Sequence, residues 1–342
     1  MVRILPILLL LPALAFADAP VPKPTKPDEP MAPAFSAAKA AEYIDGVSLA
    51  WTRERKCATC HTNVPYMLAR PLVKNGDDAA VKEVRGFLEA TVKKWETGKP
   101  KTDYEVLATA FALAGNDKNT TGKLHPATKA ALDKSWTIQK ADGSWNWPDC
   151  DWPPLEHDQF YGVAFMAVAV GLAPDNYKDT PQAKAGLSKM REYLKKNPPT
   201  ETHHRATLLW ADALGVSVFT KDQKKQVIAE LLNKQQPDGG WNLPAMGPYE
   251  KRRDGTLNKM DAPSDGYATG FTLYVLRQAG IQADDPAAKN GVKWLLANQR
   301  ASGRWFTRSV QADKAHYITN AGSAFGVLAL DACGVKLDAA SQ

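Results

Sequence analysis

The chain of 342 residues is long enough for one large domain or two small ones, and 44% hydrophobic residues are enough to build a core. Its 43 Lys and Arg residues exceed its 37 Asp and Glu residues, which gives a net charge of +6 at pH 7. Because the lysines are scattered rather than clustered, this excess indicates solubility and argues against nucleic-acid binding.

The N-terminal end has the layout of a secretory signal peptide, residues 1–17. Arg3 supplies the positive start, Ile4 to Leu14 the apolar stretch, and Ala15-Phe16-Ala17 a cleavage site of small residues. The apolar stretch is shorter than the roughly 20 residues that a membrane-spanning helix needs, although an uncleaved membrane anchor stays the alternative. We therefore expect a bacterial protein exported to the periplasm or another extracytoplasmic space, and not transmembrane after signal cleavage.

Residues 18–35 read as a linker, with prolines at 20, 22, 24, 27, 30 and 33. Alternating proline and charge cannot build a core and predicts an extended, solvated spacer. The folded domain is then predicted to occupy residues 36–342.

The string Cys57-Ala58-Thr59-Cys60-His61 is the attachment motif of a c-type haem. In this motif two thiols bond covalently to the porphyrin, and the adjacent histidine ligates the iron. The sequence thus predicts one covalent haem c per chain, anchored by Cys57 and Cys60, with His61 as the proximal ligand. The alternative is a disulfide or a metal site at the two cysteines, although no second Cys or His pair for a structural zinc site is apparent.

A repeated turn occurs three times in the rest of the chain. Each copy has glutamine six residues before tryptophan and glycine two before it, at Gln139 to Trp145, Gln235 to Trp241 and Gln299 to Trp305. Each copy follows an amphipathic helical pattern and precedes an apolar helix rich in small residues. Glycine permits the turn, glutamine can satisfy backbone groups left free at the helix end, and tryptophan fills the space between hairpins.

With weaker copies included, the pattern predicts six helix hairpins at a period near fifty residues, which is typical of a solenoid or a closed array. The turns resemble the glutamine–tryptophan repeats of squalene and oxidosqualene cyclases, and more broadly the α/α-toroid superfamily. This resemblance implies an all-α fold, an (α/α)6 toroid with small-residue helices inside and longer helices outside. An open superhelix stays the alternative.

In a toroid, every segment from an outer to an inner helix emerges at the same end. Five of the six histidines fall in these segments, and only His125 lies elsewhere. If the haem iron has a sixth protein ligand, it should come from this end; the candidates are His157, His203, His204, His316, Met246 and Met260.

Acidic residues support a rival hypothesis. Hopene-type squalene cyclases use an Asp-x-Asp-Asp acid, and the nearest string here is Asp149-Cys150-Asp151, with Glu156-His157-Asp158 as a second candidate. Asp149, Asp151 and Asp158 are therefore weak catalytic candidates, because paired aspartates are more often solvated turns or helix caps. The rival would be a terpene-cyclase-like enzyme or an isoprenoid or lipid binder without haem.

The long segment from Asn242 to Asp265 contains Lys251, Arg252 and Arg253, which suit a lid or a docking surface for an acidic partner, or simply a solvated loop. Cys150 and Cys333 should lie at opposite ends of the toroid, beyond the reach of a disulfide.

The leading hypothesis is an exported c-type haem protein that acts in electron transfer with a redox partner protein, or in haem-dependent redox chemistry on a ligand in the cavity. If it is an enzyme, a haem-dependent oxidoreductase is favoured over a terpene cyclase. An apolar or isoprenoid molecule could occupy the cavity. A carbohydrate-active toroid is the further alternative, with no acid–base pair identifiable from the sequence.

Overall fold

The structure, a computed structural model, describes residues 24–74, 78–314 and 316–338. The predicted signal peptide and the first residues of the linker lie outside this part of the chain. The described residues form twelve α-helices. In chain order these are α1 (Ala37–Arg55), α2 (Asn63–Ala69), α3 (Ala79–Thr97), α4 (Asp103–Asn119), α5 (Pro126–Thr137), α6 (Gln159–Leu172), α7 (Pro181–Lys196), α8 (Thr202–Ala213), α9 (Lys221–Asn233), α10 (Gly266–Gln278), α11 (Pro286–Ala297) and α12 (Ile318–Ala332).

The helices alternate between an outer and an inner ring. Each even-numbered helix contacts the next even-numbered helix, and α12 contacts α2, so the inner ring closes. Inner α6 buries 11 of its 14 residues, whereas outer α7 buries only Ala183, Gly186, Leu187 and Met190, at helical spacing. A helix that is apolar on all sides is expected in the inner ring, whereas a helix with a single apolar face is expected in the outer ring. The predicted (α/α)6 toroid is confirmed, and the open superhelix is excluded. The expectation of longer outer helices is wrong for two pairs, because α5 and α11 have 12 residues each, whereas their inner partners α6 and α12 have 14 and 15.

The three glutamine–tryptophan turns join neighbouring hairpins. The three tryptophans have no exposed surface, and each indole donates to a backbone carbonyl near the end of its own outer helix, at 2.7–2.8 Å. Each glutamine side chain donates to its own turn and also to a backbone carbonyl of the following outer helix or its N-cap. In the last turn, Gln299 Nε2 lies 3.0 Å from Gly303 O and 3.0 Å from Ser36 O, so this glutamine joins the last hairpin to the first.

Part of the predicted linker lies against this seam instead of extending into solvent. The Glu29 carboxylate accepts from Arg304 Nε at 2.6 Å and from the Ser302 backbone at 2.8 Å. Met31 pairs with Arg300 in a short antiparallel bridge, and Ala32 N donates to Gln299 O at 2.8 Å. These contacts bind residues 24–32 to the toroid, because the backbone and guanidinium groups of the last turn need hydrogen-bond partners and this segment supplies them.

The segments that lead from outer to inner helices all emerge at one end of the toroid, here called the mouth. They are residues 56–62, 98–102, 138–158, 197–201, 234–265 and 298–317. The two longest, residues 138–158 and 234–265, belong to the third and fifth helix pairs. No helix among the described residues is both long enough and apolar enough to cross a membrane.

Candidate functional site

A cluster of two histidines and two carboxylates lies at the mouth. His157 and Asp158 end the segment before α6, and Glu201 and His204 lie at the start of α8. Because Glu201 and His204 are three residues apart at the start of one helix, they face the same side. One ligand atom from each of the four residues lies within 4.8 Å of all the others. We call this group the histidine–carboxylate cluster.

The shortest separations in the cluster join a histidine nitrogen to a carboxylate oxygen. His204 Nε2 lies 3.3 Å from Asp158 Oδ2 and 3.6 Å from Glu201 Oε2. His157 Nε2 lies 3.5 Å from Glu201 Oε2 and 3.7 Å from Asp158 Oδ2. Both Nε2 atoms are buried, and neither has a hydrogen-bond partner among the described residues.

Neighbouring groups hold the cluster in place. The Tyr249 hydroxyl donates to Glu201 Oε2 at 2.6 Å, and Asp158 Oδ1 accepts from the Tyr161 backbone at 2.8 Å as the cap of α6. The Phe160 ring stacks on His204 at a centroid distance of 4.7 Å. Each carboxylate therefore has one oriented oxygen, and the His204 ring cannot turn freely.

Burial and the neighbouring charges shift the pKa values of the cluster residues. Burial lowers the pKa of His204, and the Glu201 and Asp158 carboxylates only partly oppose this effect. Burial also acts on Glu201, but its contacts with His157, His204 and Tyr249 outweigh burial and hold its pKa below the usual value. For His157, burial lowers the pKa, but the carboxylates of Glu201, Asp158 and Asp151 together outweigh burial and raise it. At neutral pH the cluster therefore contains an ionised Glu201 and a neutral His204.

The motif at residues 57–61 occupies the segment between α1 and α2, at the same mouth. Cys57 and Cys60 are both free thiols, and burial raises the pKa of each. Cys60 Sγ donates to Glu156 Oε1 at 3.2 Å, and its backbone N–H donates to the Tyr104 hydroxyl at 2.8 Å. His61 Nδ1 contacts Thr62 Oγ1 at 2.7 Å, and its Nε2 makes no hydrogen bond to the described residues.

These donors fit a covalent haem: two free thiols and an imidazole with one nitrogen available. Cys57, Cys60 and His61 thus stay the predicted haem attachment residues.

A cavity of about 360 Å³ adjoins this motif. We call this cavity the mouth pocket. Four aromatic residues and one carboxylate define it: Trp51, Tyr104, Trp152, Tyr317 and Glu156. Its other lining residues include Thr59, His61, Leu155 and Ser309. The Tyr317 ring stacks on His61 with centroids 5.2 Å apart, and the Tyr104 hydroxyl donates to Glu156 Oε1 at 3.2 Å. The pocket joins segments from the first, second, third and last hairpins.

The other predicted distal ligands lie in different surroundings. His203 Nε2 contacts the Tyr267 hydroxyl at 2.7 Å, inside the ring, and burial holds its pKa well below the usual value. His316 Nδ1 accepts from the Ser309 backbone at 3.1 Å. Met246 is fully buried, and Met260 is 38% exposed. Of the six candidates, the structure brings only His157 and His204 together on one centre; iron ligation by any of them stays untested.

The acids proposed for cyclisation are poorly placed for that chemistry. Asp149 is exposed, and the Asp151 side chain is 61% exposed beside Arg253, whereas an acid that protonates an alkene must be kept neutral in a dry site. Inside the ring, Phe111, Phe165, Trp210 and other side chains leave a void of only about 20 Å³. This void is too small for an isoprenoid chain.

Arg252 and Arg253, in the long segment before α10, hold two other mouth segments in place. The Arg252 guanidinium is buried and donates to Asn258, Ser309 and Asp313, and Arg253 donates to the backbone carbonyls of Cys150 and Asp151. These contacts join the long segment before α10 to the segments before α6 and α12. Two of the three cations predicted for a docking surface are therefore used within the mouth itself.

Sequence reasoning found His157, Asp158 and His204 as separate candidates but missed Glu201 and Tyr249. The signal available for Glu201 was its spacing from His204, one helical turn at the start of an inner helix. Tyr249 contacts Glu201 across 48 residues of chain, and no local pattern reports such a contact.

No protein-family model matches the chain, and a search for curated relatives finds none. Solved structures do match it along most of its length. A polysaccharide lyase aligns at 13% identity over 87% of this chain and 96% of its own, with a TM-score of 0.51. A glycosidase variant aligns at 11% identity over 87% and 98%, with a TM-score of 0.52. A type II terpene cyclase from Scytonema, in complex with geranylgeranyl dihydroxybenzoate, aligns at 14% identity over 87% and 99%, with a TM-score of 0.51.

These similarities define the class of the protein: it is an α/α toroid, the architecture that all three neighbours share. At 11–14% identity the likeness establishes the fold and not the activity.

The comparisons contradict the leading functional prediction. The neighbours are named as a lyase, a glycosidase and a terpene cyclase, and none of the three is named as a haem or electron-transfer protein. The prediction of a haem electron-transfer or haem-redox protein is therefore wrong. The error arose because a five-residue motif was given more weight than the architecture that surrounds it.

Proposed function

We propose that this toroid is a carbohydrate-active protein that binds a saccharide in the mouth pocket. The observation that carries the proposal is the lining of that pocket, with four aromatic side chains around one carboxylate, Glu156, in about 360 Å³. A pyranose ring has apolar C–H faces and a rim of hydroxyl groups. Aromatic walls suit the faces, and a carboxylate suits the rim.

The size of the pocket limits the ligand. About 360 Å³ is near the lower end of the range of small-molecule pockets, which leaves room for one or two sugar rings. The pocket opens at the mouth, where the rest of a longer glycan would extend into solvent. The expected ligand is therefore the end of an oligosaccharide or a short oligosaccharide.

Glu156 is the residue we assign to chemistry. Its Oε1 atom accepts from the Tyr104 hydroxyl and from Cys60 Sγ, each at 3.2 Å, and its Oε2 atom makes no hydrogen bond to the described residues. A fixed carboxyl group with one oxygen directed to a pocket can bind a sugar hydroxyl or transfer a proton during glycoside cleavage.

The named neighbours are consistent with this proposal, since glycosidases and a polysaccharide lyase use the same architecture. What supports saccharide binding by this chain is the lining of its own mouth pocket. The terpene-cyclase alternative has the same support from fold, but the filled ring interior and the exposed Asp149 and Asp151 argue against it.

The test is a screen of the purified chain against neutral and uronic-acid oligosaccharides. Binding is followed by thermal shift and calorimetry, hydrolysis by new reducing ends, and elimination by ultraviolet absorbance of an unsaturated product. We expect at least one oligosaccharide to raise the melting temperature and to be cleaved. The Glu156→Gln variant should lower the turnover by about 10²- to 10⁴-fold.

Matched variants locate the effect. Tyr317→Ala should weaken saccharide binding about tenfold through lost ring contact, whereas Tyr193→Ala and Glu192→Gln, on outer helix α7, should change neither binding nor turnover. Absence of binding by every oligosaccharide to a correctly folded protein would overturn the proposal. So would binding that Glu156→Gln and Tyr317→Ala leave unchanged.

A further inference from the structure

The histidine–carboxylate cluster has the donors and the spacing of a metal site. Its two buried Nε2 atoms have no hydrogen-bond partner among the described residues, and leaving a buried polar group unpaired costs about 1–3 kcal/mol. His204 is 2% exposed, and its unpaired nitrogen faces both carboxylates. Two unpaired histidine nitrogens that face the same carboxylates indicate that a bound group, absent from the structure, satisfies both of them.

The distances within the cluster match ligands around one ion better than hydrogen bonds. The four nitrogen–oxygen separations are 3.3, 3.5, 3.6 and 3.7 Å, longer than the usual 2.7–3.2 Å of an N–H···O bond. Ligand atoms about 2.0–2.1 Å from a tetrahedral ion lie about 3.3–3.4 Å apart. The four ligand atoms lie within 4.8 Å of one another, so a contraction of at most about 1.5 Å in any separation would place all four around one cation.

The surroundings support the same assignment. Tyr249 donates to Glu201 and the Tyr161 backbone donates to Asp158, which is how groups behind a metal ligand fix its orientation. Exposure rises from 2% at the His204 side chain to 34% at the Asp158 side chain. The centre is thus closed on the α8 side and accessible from the mouth on the Asp158 side.

We propose that His157, Asp158, Glu201 and His204 bind one divalent transition-metal ion, with Zn²⁺ as the best-matched species. Two imidazoles and two carboxylates suit Zn²⁺ and its neighbours better than Mg²⁺ or Ca²⁺, which prefer oxygen donors only. The charge of the ion also compensates the two carboxylates. This inference goes beyond the proposed saccharide binding and does not depend on it.

The test uses the full chain, stripped with a chelator and titrated with Zn²⁺ alone, with no saccharide present. We expect calorimetry and elemental analysis to give one Zn²⁺ per chain, with a higher melting temperature. Glu201→Gln and His204→Gln should weaken binding at least 100-fold. Asp158→Asn keeps an acceptor for the α6 cap, so it separates loss of a ligand from loss of folding. Tyr249→Phe should weaken binding about 10- to 100-fold.

Two controls separate this site from the others. His125→Gln, at the opposite end of the toroid, should leave Zn²⁺ affinity unchanged. A Cys57→Ser/Cys60→Ser double variant should also leave it unchanged, and the Co²⁺-substituted protein should lack the intense near-ultraviolet band of a thiolate–cobalt bond. Absence of stoichiometric binding would overturn the proposal. Binding that survives both Glu201→Gln and His204→Gln, or is lost in the cysteine variant, would also overturn it.

Discussion

Asp265 is a carboxyl group whose surroundings oppose its ordinary charge. It caps α10 by accepting from the Ala268 backbone at 3.0 Å, and it accepts from Thr307 Oγ1 at 3.0 Å. Burial raises its pKa to about 6, although these hydrogen bonds lower it in part. The carboxyl group therefore binds its proton more tightly in the folded chain than in the unfolded chain.

This difference predicts how stability depends on pH. A raised folded-state pKa contributes stability that is fully present below about pH 4 and is lost as pH rises through about 6. Asp265→Asn keeps an oxygen acceptor for the cap and removes this titration. Urea unfolding from pH 4 to 7 should show wild-type stability falling relative to the variant by up to ~3 kcal/mol. Parallel curves for the two proteins would contradict the prediction.

Covalent haem at Cys57 and Cys60 stays a prediction of the motif, and it competes with the proposed function, because a thioether at Cys60 could not donate to Glu156. A pyridine haemochrome spectrum of protein exported from a host that matures c-type haem is the measurement. A c-type spectrum should be present in the wild-type protein and absent from a Cys57→Ala/Cys60→Ala variant. A colourless, folded wild-type protein would show that the motif is used in another way, as free thiols beside Glu156.

At the scale of elements, the glutamine–tryptophan turns depend on glycine for two reasons. Gly303 has φ of +91°, and a Cβ atom there would lie 1.9 Å from Lys39 O, in the first outer helix. Gly280 also has a positive φ, of +101°, but a Cβ atom there would meet nothing within 4 Å. Comparing substitutions at Gly303 and Gly280 therefore separates the cost of a positive φ from the cost of close packing between hairpins.

Gly303→Ala should therefore destabilise the protein more than Gly280→Ala. The second substitution costs only the left-handed conformation, about 1–2 kcal/mol, whereas the first adds a clash with backbone that cannot rotate away, about 1–3 kcal/mol more. Chemical denaturation of the three proteins measures the difference. Equal losses for the two variants would show that the turn does not need the close approach.

Elements also explain which parts of the site could be predicted. The end of the toroid that carries the histidines followed from the order of the helices, because every outer-to-inner segment emerges at one end. The pairing of His157 with His204 did not follow, because α6 and α8 are separate helices and the sequence does not give their rotation. Of the acids, Asp158 was found because it precedes an inner helix, where a cap is expected.

At the scale of the whole molecule, the ring closes between the last hairpin and the first, and residues 24–32 reinforce this seam. The Arg304 side chain is 3% exposed and Glu29 is 14% exposed, with 2.6 Å between Nε and Oε2. A buried guanidinium that loses a carboxylate partner destabilises the fold, since its charge has been taken out of water.

Glu29→Ala should lower the free energy of unfolding by about 2 kcal/mol, the scale of a hydrogen bond to a charged group. Glu42→Ala is the control, because its ion pair with Lys39 is exposed and should contribute less than about 1 kcal/mol. Hydrogen exchange should also show faster opening of α1 and α11 in the Glu29 variant alone. No difference between the two variants would mean that residues 24–32 lie on the seam without stabilising it.

The sequence by itself determined the number of helices, their alternation between apolar and amphipathic, and the turns that join them. Each of these depends on residues within one repeat, and Gln299, Gly303 and Trp305 act as their spacing predicts. Only the tertiary structure decided that the ring interior is filled, that Glu156 lies among aromatic rings, and that His157 and His204 share one centre. These depend on how hairpins distant in sequence meet, which is set by packing around the closed ring and not by any local pattern.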